Sequence, residues 1–143
     1  MSFLPPTWPR TVALLLVAVQ FTAVGVLHFT SPDFFVDIVP PYLPAPLALV
    51  YVSGVFEILG GVGVLIPVTR RWAGYGLLAL LVAVYPANIH MALHPEQFPD
   101  MSPTSLYVRL PFQFVFAALV WFGACSPKSA ARGADAPARS SEV

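Results

Sequence analysis

Seven side chains in this sequence could do chemistry in an otherwise apolar setting: Glu57, Arg109, Gln113, Asn88, His28, His90 and His94. Glu57 stands in the middle of the apolar run SGVFEILGGVGVL at 53–65. A carboxylate placed there is costly unless it is protonated, paired or in a wet cavity. Ser53, Gly54, Gly60 and Gly61 share its face at about 100° per helical residue, and small residues let another helix approach closely. Glu57 is therefore expected to face the inside of a bundle. Arg109 and Gln113 are spaced i, i+4 and project from one helical face. Glu57 is the one acid in a comparable apolar setting, so it is expected to pair with Arg109, with Gln113 bridging. Such a pair either fixes how two helices pack or belongs to a working pocket, and intramembrane ionisable groups favour function by default.

The histidines suggest less. His90 and His94, at i and i+4, have the spacing of two metal ligands on a helix, but a site needs three or four. Asn88 lies two residues from His90 and faces elsewhere, so it and Gln20 are expected to bond across helices. The pocket candidates are thus Glu57, Arg109, Gln113, Asn88, His28 and His90, with no metal centre beyond the His90–His94 pair. One cysteine, Cys125, allows neither an internal disulfide nor a CxxC redox pair.

These residues must be positioned by membrane-spanning helices. Of the 143 residues, 57% are hydrophobic and only 10% charged, against about 25% charged in a soluble domain. A surface so poor in charge suits lipid as its solvent. Crossing a bilayer as a helix takes about 20 apolar residues, and four stretches qualify: 11–29, 47–67, 72–92 and 105–124. The expected architecture is an all-α integral membrane protein, an antiparallel bundle of four transmembrane helices over 11–126. Residues 1–10 form a cytoplasmic N-terminus and 127–143 a disordered cytoplasmic tail. The first span outruns a signal-peptide core and lacks an A-x-A site. Net charge is zero, and no basic stripe offers itself to nucleic acid.

Orientation follows the basic residues. Arg10, Arg70, Arg71, Lys128, Arg132 and Arg139 fall on one side, while the loops 30–46 and 93–104 carry Asp33, Asp37, Glu96 and Asp100 and no lysine or arginine. Both termini are expected in the cytoplasm, in a multi-pass protein of the cell membrane, the bacterial inner membrane. The prolines at 40, 41, 44 and 46 favour an extended lid over loop 30–46. Pro86 and Pro111 fall inside spans and free backbone carbonyls there, which points to a polar pocket in the outer half of the membrane.

With these residues in view, the chain resembles the DoxX/DoxD-like family of small membrane proteins. The resemblance rests on His28-Phe29 with Pro32, IVPPYLP at 38–44, SGVFEILGGVGVL at 53–65, TRR at 69–71, PANIHMALHP at 86–95 and LYVRLPFQ at 106–113. It covers about residues 15–122 and implies a four-helix bundle met beside oxidoreductases, some of them quinone-linked. No redox centre lies in this chain, so the resemblance implies an accessory or assembly subunit and not an enzyme on its own. Its outer-half pocket would hold a quinone or a lipid headgroup beside a membrane or periplasmic redox partner. Arg109, Gln113, Asn88 and the histidines could donate to quinone oxygens, and Glu57 could shuttle a proton. Two other readings stay open: a chaperone-like or structural membrane protein whose polar cluster locks the bundle, and a small transporter working as a homodimer.

The orientation is directly testable in a Cys125-free background. A cysteine at position 33 should react with an impermeant maleimide added from outside, and one at position 140 should be spared. The reverse labelling would overturn it.

Overall fold

Local sequence supplies a ready start for most helices. Pro9, Pro32, Pro46 and Pro103 stand in the first two positions of four of them, where a missing N–H goes unnoticed and the fixed φ is already helical. The computed structural model describes residues 7–126. Helix α1 spans Trp8–Thr30, α2 Pro32–Ile38, α3 Pro46–Gly63, α4 Arg70–Leu93 and α5 Pro103–Val120. A 3-10 turn, Pro95–Gln97, follows α4, and α5 runs on into a π turn, Trp121–Cys125. Among the described residues there is no strand. The predicted tail, 127–143, and the first six residues lie outside those described.

Four of the helices, α1, α3, α4 and α5 with its π turn, are long and apolar enough to cross a membrane. Two boundaries differ from the sequence expectation. The second span stops at Gly63 and not at 67, because Pro67 has no N–H to continue the ladder. Residues 64–69 turn instead, and the carbonyls left over at the helix end find side chains. Thr69 Oγ1 donates to Gly63 O at 2.9 Å, Arg70 Nε to Val64 O at 2.8 Å and Arg70 Nη2 to Leu65 O at 3.1 Å. The loop 30–46 is not extended throughout. Its first half is α2, started by Pro32 and favoured by Asp33 in the first turn. Val39 is extended, and beyond it the chain turns, with Leu43 N–H donating to Pro40 O at 3.0 Å and Ala45 left-handed at φ 50°.

The long helices pack in the order α1–α3–α4–α5 around the bundle, so α3 and α5 occupy one diagonal and α1 and α4 the other. Burial concentrates at two ends. At the end bearing the 64–69 turn, Leu14, Val17, Leu77, Val120 and Cys125 form one core. There Arg10 Nη2 ties α1 to the π turn by donating to Ser126 O at 2.8 Å. At the opposite end α2 lies as a lid, and Ile38, Met91, Phe98 and Leu106 form a second core.

Glycines set the tight contacts. A Cβ on Gly54 would stand 3.0 Å from Gly25 O, and one on Gly61 only 2.8 Å from Thr22 N, so α1 and α3 meet backbone to backbone. At the turn end Gly74 admits Cys125 and Ala124, and Gly123 admits Leu14. Gly76 is different: a Cβ there would meet nothing within 4 Å. Gly61→Ala should therefore cost about 1–3 kcal/mol through overpacking against backbone. Gly76→Ala should be neutral or stabilising, since helical glycine is worse than alanine by about 0.5–1 kcal/mol. Thermal melting of the detergent-solubilised variants reads both, and equal losses would contradict the packing described.

Candidate functional site

The antiparallel crossing of α1 and α3 creates the first part of the site. A Cβ on Gly25 would stand 3.0 Å from Glu57 Cβ, and one on Gly54 would stand 2.7 Å from His28 Cβ. Each titratable side chain thus leaves its helix over a glycine of the other, and the two meet. His28 Nδ1 lies 2.8 Å from Val24 O and 3.3 Å from Glu57 Oε2. The carbonyl can only accept, so Nδ1 carries a proton and donates to Val24. Phe35 of the lid stacks on the imidazole, with ring centroids 3.8 Å apart and 21° between planes. His28 and Glu57 are more than nine-tenths buried, and among the described residues no group donates a hydrogen bond to Glu57 Oε2.

A second polar group links α4 to α5. Asn88 Nδ2 donates to Gln113 Oε1 at 2.6 Å, and Gln113 Nε2 donates to Leu81 O. Leu81 lies next to Val82, the residue whose carbonyl Pro86 cannot serve. The glutamine thus gives α4 a side-chain partner from α5 one residue away from the carbonyl that the proline leaves unserved.

Arg109 does not pair with Glu57. Among the described residues Glu57 has the His28 imidazole as its titratable neighbour, while Arg109 Nη1 and Nη2 lie 3.9 Å from Met91 Sδ and 4.0 Å from Met101 Sδ. The reason is the order of the helices. Glu57 on α3 and Arg109 on α5 stand at opposite corners, and space separates them.

That space is a cavity of about 910 Å³ between the two cores, near the top of the range of ligand pockets, roughly 300–1,000 Å³. Five of the six sequence candidates line it: Glu57, Arg109, Gln113, Asn88 and His28, drawn from all four long helices. Gln20 and Ser53 also line it, and the remaining walls are mainly aliphatic and aromatic. His90 is not among them. It lines a separate groove of about 260 Å³ with Tyr42, Pro86, Ile89, Leu93 and His94.

The His90 and His94 rings lie 4.7 Å apart, and His94 Nδ1 is 3.2 Å from Glu96 Oε1. A hydrogen bond from its own backbone N–H holds the Glu96 carboxyl below the usual range, and His94 adds to that effect. Among the described residues no three His, Cys, Asp or Glu side chains group as metal ligands.

Sequence reasoning missed the His28–Glu57 contact, the Phe35 stack and the thioethers beside Arg109. The first had a signal: Gly25 and His28, like Gly54 and Glu57, are three residues apart, as expected where two antiparallel helices exchange glycines. Melting of Glu57→Gln, His28→Gln and Arg109→Gln, with the two doubles that include Glu57, tests the new pairing. Glu57 and His28 should couple by about 0.5–3 kcal/mol, whereas Glu57 and Arg109 should add within about 0.5 kcal/mol. Strong coupling to Arg109 alone would restore the ion pair.

Neither a curated protein nor a solved structure matches this chain. A family model described as a domain of unknown function, DUF8561, matches residues 17–124. That stretch contains every cavity-lining polar residue named above and well over half of the chain. The chain belongs to the DUF8561 family.

Proposed function

We propose that this is a multi-pass membrane protein of DoxX type, an accessory or assembly subunit whose cavity holds a quinone or a lipid headgroup beside a membrane or periplasmic oxidoreductase. The observation that carries the reading is the convergence of five polar side chains, from four helices, on one cavity with apolar walls. Such a site suits a mostly apolar molecule held in one orientation by a few polar contacts. Arg109 can donate to a carbonyl or phosphate oxygen. The adjacent Glu57 and His28 can take up or release a proton. The order of motifs from His28-Phe29 to LYVRLPFQ supports the family likeness, and the bias of lysine and arginine supports cytoplasmic termini with the lid end outside.

A purely structural role has one observation in its favour, since the Asn88–Gln113–Leu81 bonds tie α4 to α5. It gives no use to Arg109 or to the space around it. Mild-detergent purification followed by mass spectrometry separates the two. The binding reading expects a quinone or lipid in near-stoichiometric amount and an oxidoreductase that co-purifies. Recovery of neither would leave the structural role standing.

A further inference from the structure

The cavity lies between the two cores, and its lining includes side chains more than half exposed. Val52 and Phe56 on α3 are 52% and 57% exposed, and Phe112 on α5 is 52% exposed. All three stand well inside their helices, so the exposed lining runs along the flank of the bundle as well as at the lid end, where Phe34 and Leu43 are also exposed. In the reading above, that flank faces the hydrocarbon of the bilayer and not water.

The inside of the cavity has a direction. Along α4, Gly76, Ala79, Ala83 and Ala87 follow one another at i, i+3, i+7 and i+11, and all four line it. Their spacing puts them on one face, and the empty space over Gly76 makes this face the floor of an apolar trough. The trough runs from beside the turn-end core, where Leu77 is buried, toward the lid. Arg109 lines the cavity near the lid core, one turn below the buried Leu106. Its guanidinium meets only thioether sulphurs at 3.9 and 4.0 Å, which are weak acceptors. Among the described residues no carboxylate lies within ion-pair distance of it, and the acid across the cavity, Glu57, is turned to His28. An arginine fork without an oxygen partner, at the head of an apolar trough, matches a carboxylate or phosphate on a hydrocarbon chain.

We infer that the cavity admits an anionic amphiphile sideways from the outer half of the bilayer, seating its carboxylate or phosphate on Arg109 and one hydrocarbon chain along the Gly76–Ala87 trough. This rests on the proposed reading of the cavity as a site for a membrane amphiphile, and it selects a charged lipid over a neutral quinone. With the lid end outside, the head lies toward the outer surface and the chain toward the bilayer centre. That is the orientation the molecule already has in the outer leaflet, so it needs no inversion to bind.

The test is native mass spectrometry of the full chain in neutral detergent, with added oleate, lysophosphatidylglycerol or uncharged mono-oleoylglycerol. Wild type should retain oleate or lysophosphatidylglycerol in preference to mono-oleoylglycerol, and which of the two is favoured identifies the headgroup. Arg109→Gln should weaken the anionic probes about tenfold to a hundredfold, the range for a lost charged hydrogen bond, and Arg109→Lys should recover part of this. Gly76→Leu keeps every charge but fills the trough, and it should reduce retention of all three probes. Loss in Arg109→Gln with full retention in Gly76→Leu would place the lipid on the outer surface and overturn the inference. Equal retention of neutral and anionic probes, both lost in Gly76→Leu, would overturn the anion assignment while leaving a binding cavity. Indifference of every probe to both changes would overturn the inference and the binding cavity together.

Discussion

The backbone contact between α1 and α3 is the constraint on which the rest of the structure depends. Gly25 against Gly54, and Gly61 against Thr22, bring the two helices closer than any side chain would allow. At that separation His28 and Glu57 cannot avoid one another, because each projects over the glycine that lets the helices touch. The His28–Glu57 contact follows from the packing and does not cause it. A buried ionisable pair is a poor source of stability, whereas close helix contact gains dispersion along its whole length. The pairing is therefore best understood as a property that the glycines impose.

The same contact explains where the empty space goes. Tight packing of α1 on α3 fixes one side of the bundle, and Gly74 and Gly123 draw α4, the π turn and α1 together at the turn end. At the other end α2 and the start of α5 supply a second core around Met91 and Leu106. Between these two cores, Gly76, Ala79, Ala83 and Ala87 give α4 one face of small residues, beside Leu80, Leu81 and Val84, which also line the space. That small face leaves room between the diagonals, and the cavity lies there.

How much of this the sequence discloses depends on the range of the interaction. The four long helices are legible from run length alone, because hydrophobic spans are set by local composition. The helix-interior prolines and the convergence of Glu57, Arg109, Gln113, Asn88 and His28 on one cavity are consistent with their helical faces. Which of them touch is another matter. Pairing Glu57 with Arg109 follows from counting charges, but contact depends on whether α3 and α5 are neighbours or diagonal, and four apolar helices carry little signal for that. The helical start of loop 30–46 was legible in Pro32 and Asp33, yet four later prolines spoke louder for an extended chain. His90 separates from the other candidates because it points around α4 into the Tyr42 groove, as its two-residue offset from Asn88 requires.

That Arg109 finds no oxygen partner among the described residues is the strongest argument about purpose. A bundle selected for stability alone would bring two opposite charges together or replace both by packed apolar groups, since an isolated buried charge is costly. Here the chain does neither. It keeps Glu57 against His28, rests the guanidinium on two methionines, and holds the two ionisable groups on different walls of one cavity. Larger side chains at Gly76, Ala79 and Ala83 would fill that gap at no cost in backbone geometry, because each position is helical. A stability-driven sequence gains by filling it. That the gap stays open, with a cation at its head and its donors turned to weak acceptors, favours a cavity kept for a molecule that supplies the missing oxygen.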